Sequence, residues 1–244
     1  MCTLTFIPRA DGYILAMNRD EQIARGPATP PAVVQLGSAR AILPTDVEGG
    51  TWIGVNEHGL AFALLNWNRE GQPVIKTRSR GVIIPALLAL SHIGEAPVAM
   101  QRADLDGIHP FRLIGVSPRE KTLVEWQWDQ RKLQFSIRDW KSGNWFSSSL
   151  SDDQAGAQRG AVCDAAWGEP DAGSLAWVRR LHASHGEEPG PFSICVHRKC
   201  VETLSYTELV CTPNDVRCTY FPGSPCLIRG VELSITMKRI RTAA

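Results

Sequence analysis

Alternation opens the chain. Cys2, Leu4 and Phe6 interleave with Thr3 and Thr5, the period-two pattern of a half-buried strand, and Tyr13 to Met17 forms a second apolar run. Pro8 and the Asp11-Gly12 dipeptide between them predict a hairpin. Two registers fit it. A two-residue turn at Asp11-Gly12 sets Cys2 opposite Glu21, and a loop two residues wider toward Arg9 sets Cys2 opposite Arg19. Either way, Asn18-Arg19-Asp20-Glu21 lies beside the start of the chain, gathering ionisable groups next to a thiol at a strand end.

A polar, proline-rich loop through Pro27, Pro30 and Pro31 leads to a second predicted hairpin, 50–55 and 60–65, with Asn56-Glu57-His58-Gly59 as its turn. Asn66 follows at the strand end, opposite Gly49-Gly50. The glycine pair reads as a backbone requirement, because no helix start follows it to cradle a phosphate. From Ser79 the period changes: Val82, Ile83, Leu87, Leu88 and Leu90 predict an apolar helix in which Pro85 is tolerable only near the first turn. A short helix is predicted over 97–103. Strands follow at 111–116, 122–128 and 132–137, divided by turns at Ser117-Pro118 and Asp129-Gln130.

Helices are predicted over 152–167 and 174–185, with Ser151 or Asp152 as N-cap of the first, and strands over 192–197, 202–209 and 217–221. This order of strands and helices predicts an α+β chain, two antiparallel sheets sandwiched between helices, as one domain over 1–244.

Composition refines this only at the edges. Lys and Arg number 26 against 25 Asp and Glu, so no global field draws nucleic acid. The longest apolar stretch, Gly81 to Leu90, is too short to insert in a membrane, and the start lacks the basic flank and apolar core of a signal peptide; a cytoplasmic protein is expected. Seven cysteines without a Cys-x-x-Cys pair predict buried, reduced thiols. Cys195 and His197 share a strand face near Cys200, but no fourth ligand has metal-like spacing, so no metal site is expected. Cys211 and Cys218 would sit opposite each other across a turn at Asn214-Asp215. His182 and His185, three apart on a helix, are expected to face solvent.

The opening Met1-Cys2, the Asn18-Arg19-Asp20-Glu21 motif, Arg25 with Pro27, and Gly49-Gly50-Thr51-Trp52-Ile53-Gly54-Val55-Asn56 resemble the NRDE family, also called the transport and Golgi organisation family. The resemblance implies the N-terminal nucleophile hydrolase fold, a four-layer αββα sandwich of antiparallel sheets. Eukaryotic relatives are implicated in Golgi organisation and haem trafficking, which makes haem an alternative ligand. A more distant similarity is to the bile salt hydrolases and penicillin V acylases, and it carries Cys2, Asp20 and Asn66 onto matching positions. In those enzymes the Arg precedes the Asp by several residues, whereas Arg19 is adjacent to Asp20. Their second Asn falls in Trp145-Phe146-Ser147-Ser148-Ser149, with Ser148 as stand-in, and their late Arg has two candidates, Arg159 and Arg198.

The chemistry these residues suggest starts with removal of Met1, which leaves a thiol and a free amine on Cys2. An α-amine of pKa roughly 7.7–8.0 can act as base for its own side chain. Cys2 is then the nucleophile toward a small linear amide, Asp20 fixes the amine, Arg19 holds a substrate carboxylate or lowers the thiol pKa, and Asn66 donates to the oxyanion. Asn18, Glu21, Trp52 and Ser148 are expected to touch substrate. Two other classes compete: a non-catalytic carrier of haem or another hydrophobic metabolite, and an interaction protein acting as a homodimer through an apolar sheet edge.

Overall fold

The computed structural model describes residues 2–68, 78–227 and 232–240. In chain order its elements are β1 (Cys2–Arg9), β2 (Gly12–Gln22), β3 (Thr29–Leu36), β4 (Ala39–Thr45), β5 (Ile53–Asn56), β6 (Ala61–Asn66), α1 (Ile83–Leu88), α2 (Ala96–Arg102), β7 (Phe111–Ser117), β8 (Thr122–Trp128) and β9 (Leu133–Arg138). There follow β10 (Gly143–Ser147), α3 (Asp152–Ala166), α4 (Leu175–Ala183), β11 (His197–Arg198), β12 (Val201–Cys211), β13 (Asp215–Pro222) and β14 (Leu233–Lys238).

Two antiparallel sheets result. One runs β10-β1-β2-β12-β13-β14 with β11 added to β12, and the other runs β3 to β9 in sequence order. Alternation along each strand gives each sheet two apolar faces, so the stack has three cores. Leu4, Phe6, Leu15 and Met17 meet Ile53, Val55, Ala63 and Ile114 between the sheets. Phe62 and Leu64 pack under α1 and α2, whereas Ile14 and Ala16 pack under α3 and α4. The layers are therefore helix, sheet, sheet, helix, as the sequence predicts.

Local chemistry explains several joints. Pro85 is the third residue of α1, and a 3-10 turn at Arg80–Val82 leads into it, so the missing N–H falls in the first turn. Asn56 closes the β5–β6 turn by accepting from His58 N and Leu60 N, and its Nδ2 donates to Leu88 O and Leu90 O at the end of α1. Ser151 caps α3, accepting from Gln154 N.

Several expectations are corrected. The proline-rich loop continues into the hairpin β3–β4: Pro30 and Pro31 fit because β3 is a sheet edge, and the register shifts between Thr29 and Ala32. β10 and β14 are additional strands. Of 192–197 only His197 is in a strand, because Cys195 N donates to Ser184 O and Val196 N to Thr203 Oγ1 rather than to a ladder. Cys211 pairs with Val216 and Cys218 with Leu209, so the two cysteines are not opposite each other. No helix of the described residues is long and apolar enough to cross a membrane.

Candidate active site

The first hairpin settles the register. Arg9 pairs with Gly12 and Cys2 with Arg19, the second of the two registers, but it is reached by a two-residue turn at Ala10-Asp11 and not by a wider loop. Direct partners in an antiparallel pair share a face, so the Cys2 and Arg19 side chains both point between the sheets. Asn18 and Asp20 alternate to the other face, toward α3 and α4. The four-residue motif is thus divided between two environments.

On the inter-sheet side, Cys2 lies in the floor of a pocket with Arg19, Trp52, Asn66 and Arg80 in its walls. Arg19 bonds Asp46, and its guanidinium lies 4.7 Å over the Trp52 ring. Arg25 binds Asp46 at 3.1 Å and Glu48 at 2.9 Å. Burial opposes ionisation of Asp46, but the Glu48 N–H, Arg25 and Arg19 outweigh it and hold the carboxyl below its usual range. Arg80 is different. It donates to Pro110 O at 3.1 Å, and among the described residues no carboxylate pairs with it. Burial lowers its pKa below the ordinary guanidinium value, and the side chain faces the pocket beside Cys2.

Arg80 reaches this position through a close approach of backbones. Thr51 N donates to Gly81 O, and a Cβ on Gly50 would stand 2.8 Å from Gly81 Cα. Only glycine at both positions lets the 79–81 segment lie against the floor of the pocket.

The helix-side network is sealed. Arg159, 1% exposed, reaches from α3 to donate to Cys2 O at 3.2 Å, Thr3 Oγ1 at 2.9 Å and Asp20 Oδ2 at 3.4 Å. Thr203 Oγ1 donates to Asp20 Oδ1 at 2.7 Å. A β-bulge at Leu204 aims it there, because Thr203 pairs with Asp20 while Ser205 pairs with Arg19. Asn18 donates to His182 O and Ile194 O, and its Oδ1 lies 3.0 Å from His182 Nδ1. Burial and the neighbouring Arg159 push His182 down to about 3, so the ring is neutral.

The Cys2 thiol is raised above its ordinary pKa. Burial dominates and Asp20 adds to it, against the Asp20 backbone N–H, which donates to the sulfur, and the charge of Arg19. A neutral thiol needs a base. Met1 lies outside the described residues.

Cys2, Arg19, Glu21, Trp52 and Asn66 therefore come together at the pocket, Asp20 borders it with its carboxylate turned to the helix side, and Asn18 and Ser148 lie away from it. Asn18 is committed to its carbonyls, and Ser148 N binds Asp152 while its Oγ accepts from Leu150 N. The serine directly opposite Cys2 is Ser147, whose buried Oγ has no hydrogen-bond partner among the described residues. Of the two late-arginine candidates, Arg159 touches Cys2 and Asp20, whereas Arg198 donates to Ser149 Oγ. Arg80 and Ser147 carry no sequence signal beyond residue type, since each is placed by a contact across layers. His182 is buried rather than facing solvent.

Residues 1–152 match the profile of the family described as Transport and Golgi organisation 2. No curated protein matches the chain. Among solved structures, penicillin V acylase from Agrobacterium tumefaciens is similar at a TM-score of 0.50 and 11% identity, over 92% of this chain and 84% of that one. A mutant (C2A) conjugated bile acid hydrolase from Clostridium perfringens is similar at a TM-score of 0.53 and 11% identity, over 99% of this chain and 97% of that one. At that identity the likeness shows the shared fold, that of the N-terminal nucleophile hydrolases.

Proposed function

The chain belongs to the Transport and Golgi organisation 2 family, and from that premise we propose that it is an N-terminal-cysteine amidohydrolase or acyltransferase acting on a small linear amide. The observation that carries this reading is the Cys2 side chain lining a pocket with Arg19 and Asn66, with Asp20 held behind it by Arg159 and Thr203. Once Met1 is removed, the Cys2 amine takes the thiol proton and sulfur attacks the amide carbonyl. Asp20, held by Arg159 and Thr203, fixes the amine, and Asn66, with the Ser147 hydroxyl that has no hydrogen-bond partner among the described residues, donates to the oxyanion. The C–N bond then breaks, the leaving amine takes the proton back from the ammonium, and water or an acceptor amine releases the acyl group from sulfur.

Arg19 is occupied by Asp46 and Trp52, so Arg80 is the better candidate to hold an anionic group of the substrate. The alternative reading, a non-catalytic carrier of haem or a hydrophobic metabolite, draws less support. The pocket walls are ionic, and the His182 ring is committed to Asn18 and Thr5. A Soret shift on haem titration, saturating at one per chain, would restore the carrier reading.

The enzyme reading is tested on the purified chain. Intact mass should show Met1 absent, and an amide-mimicking electrophile should add once, on Cys2. Cys2→Ala should abolish both labelling and turnover. Equal labelling of the Cys2→Ala chain sinks the proposal.

A further inference from the structure

Behind Asp20, on the far side of Thr203, three segments distant in sequence converge. Cys226 Sγ, in the 3-10 turn Pro225–Leu227, lies 3.0 Å from His197 Nε2 and 3.5 Å from Cys195 Sγ, and Cys195 Sγ lies 3.7 Å from the same nitrogen. The His185 ring, just past α4, stands 5.2 Å from that of His197, and its buried Nε2 has no hydrogen-bond partner among the described residues. One ligand atom from each of the four residues falls within 4.8 Å of every other. A tetrahedral ion about 2.3 Å from sulfur and about 2.0–2.1 Å from nitrogen holds its ligand atoms about 3.3–3.8 Å apart. The cluster stands close to that spacing.

We propose that His185, Cys195, His197 and Cys226 form a zinc site. Four protein ligands leave no position for water or substrate, which makes the site structural rather than catalytic. The expectation of no metal rested on the absence of a fourth ligand at local spacing; the fold brings in Cys226 from far downstream and His185 from upstream. Binding releases the two thiol protons to solvent, and the ion joins the end of α4, the stretch entering β11 and the 225–227 turn.

Those segments support the candidate active site. Val196 N donates to Thr203 Oγ1 and Thr203 N to Val196 O, while Ser224 Oγ donates to Thr203 O at 2.9 Å. Thr203 in turn holds Asp20 at 2.7 Å. The zinc ligands therefore act as positioning residues for Asp20, and the site stands whether or not Cys2 is a nucleophile.

The test is elemental and spectroscopic analysis of the purified full chain. One zinc per chain is expected, and removing it with a chelator should lower the thermal midpoint, which added zinc restores. Cobalt(II) loaded in its place should show tetrahedral ligand-field bands and thiolate charge transfer. Cys226→Ser and His185→Ala should lose stoichiometric metal, while Cys200→Ser, at an exposed cysteine nearby, and Cys2→Ala should keep it. Should the ligand variants fail to fold, protection of Cys195 and Cys226 from alkylation by zinc in the unaltered chain gives the same answer. A chain that takes up neither metal, cobalt without thiolate charge transfer, metal retained by Cys226→Ser, or a Cys195–Cys226 disulfide in freshly purified protein would each overturn the proposal.

Discussion

The two faces of the β1–β2 hairpin carry the same kinds of residue and treat them differently. Between the sheets, Arg19 and its partner Asp46 border an open pocket, where further cations and carboxylates share the walls. On the helix side, Asp20 and Arg159 have no exposed side-chain surface, and Thr3, Thr203, Asn18 and His182 each hold a specific hydrogen-bond partner. Arg19 is itself occupied by Asp46 and Trp52, but Arg25 and Arg80 in the same walls keep partial exposure, and Arg80 faces the pocket where a ligand would enter. On the helix side a charge is fixed, and its removal leaves an uncompensated partner. Strand β2 therefore borders the pocket with its odd-numbered Arg19 and Glu21, opposite Cys2 of β1, and backs it with its even-numbered Asn18 and Asp20.

Breaking the backing should have the largest effect. Arg159→Met leaves Asp20 buried without its cation, and the loss in unfolding free energy should be about 3–5 kcal/mol, read from the denaturant midpoint. Labelling of Cys2 should fall with it. A midpoint within about 0.5 kcal/mol of the unaltered chain would show that the helix side is no more committed than the pocket. Next comes a change confined to the pocket: Asn66→Ala should slow turnover by about a hundredfold, roughly 2–4 kcal/mol of barrier, while the denaturant midpoint stays put. Turnover at the unaltered rate would remove Asn66 from the oxyanion site.

The sealed face should also show itself in pH. His182 has its folded pKa pushed down to about 3 from an ordinary 6.5, so between those values the unfolded chain binds the extra proton. Stability is complete above about pH 6.5 and falls below it by about 1.4 kcal/mol for each pH unit. His182→Gln should flatten that slope, measured by urea unfolding from pH 7 to 5. An unchanged slope would mean that other groups set it.

The divided motif also explains what could be read from the sequence. Alternation in Cys2 to Phe6 and Tyr13 to Met17 was enough for the hairpin, and the turn chemistry narrowed its register to two choices, one of them correct. The second hairpin and both helical regions were legible for the same reason: period and punctuation are local. β3 was hidden because Pro30 and Pro31 argue against a strand unless it is known to be an edge, which only assembly of the sheet decides. Ser147 and Arg80 were out of reach, and Arg159 was only one of two candidates, since each meets Cys2 or its pocket from another element. Ser148 was chosen over Ser147 by a one-residue shift, which in a strand changes the face.

The smallest effect belongs to Glu21, and it tests whether the division extends to the end of the motif. By alternation Glu21 follows Arg19 onto the inter-sheet side, where it borders the pocket and lies 3.8 Å from Arg25, both side chains more than a quarter exposed. A partly solvated pair of this length contributes about 0–1 kcal/mol, so Glu21→Gln should move the denaturant midpoint by less than that. Its charge still faces the space where an anionic substrate group would meet Arg80, and removing a like charge there should lower KM for such a substrate and leave kcat alone. Asp20→Asn, one residue earlier, should do the reverse, because it strips Arg159 of a buried counter-charge and costs stability first. Equal stability losses from the two substitutions would mean that the strand end is one environment after all.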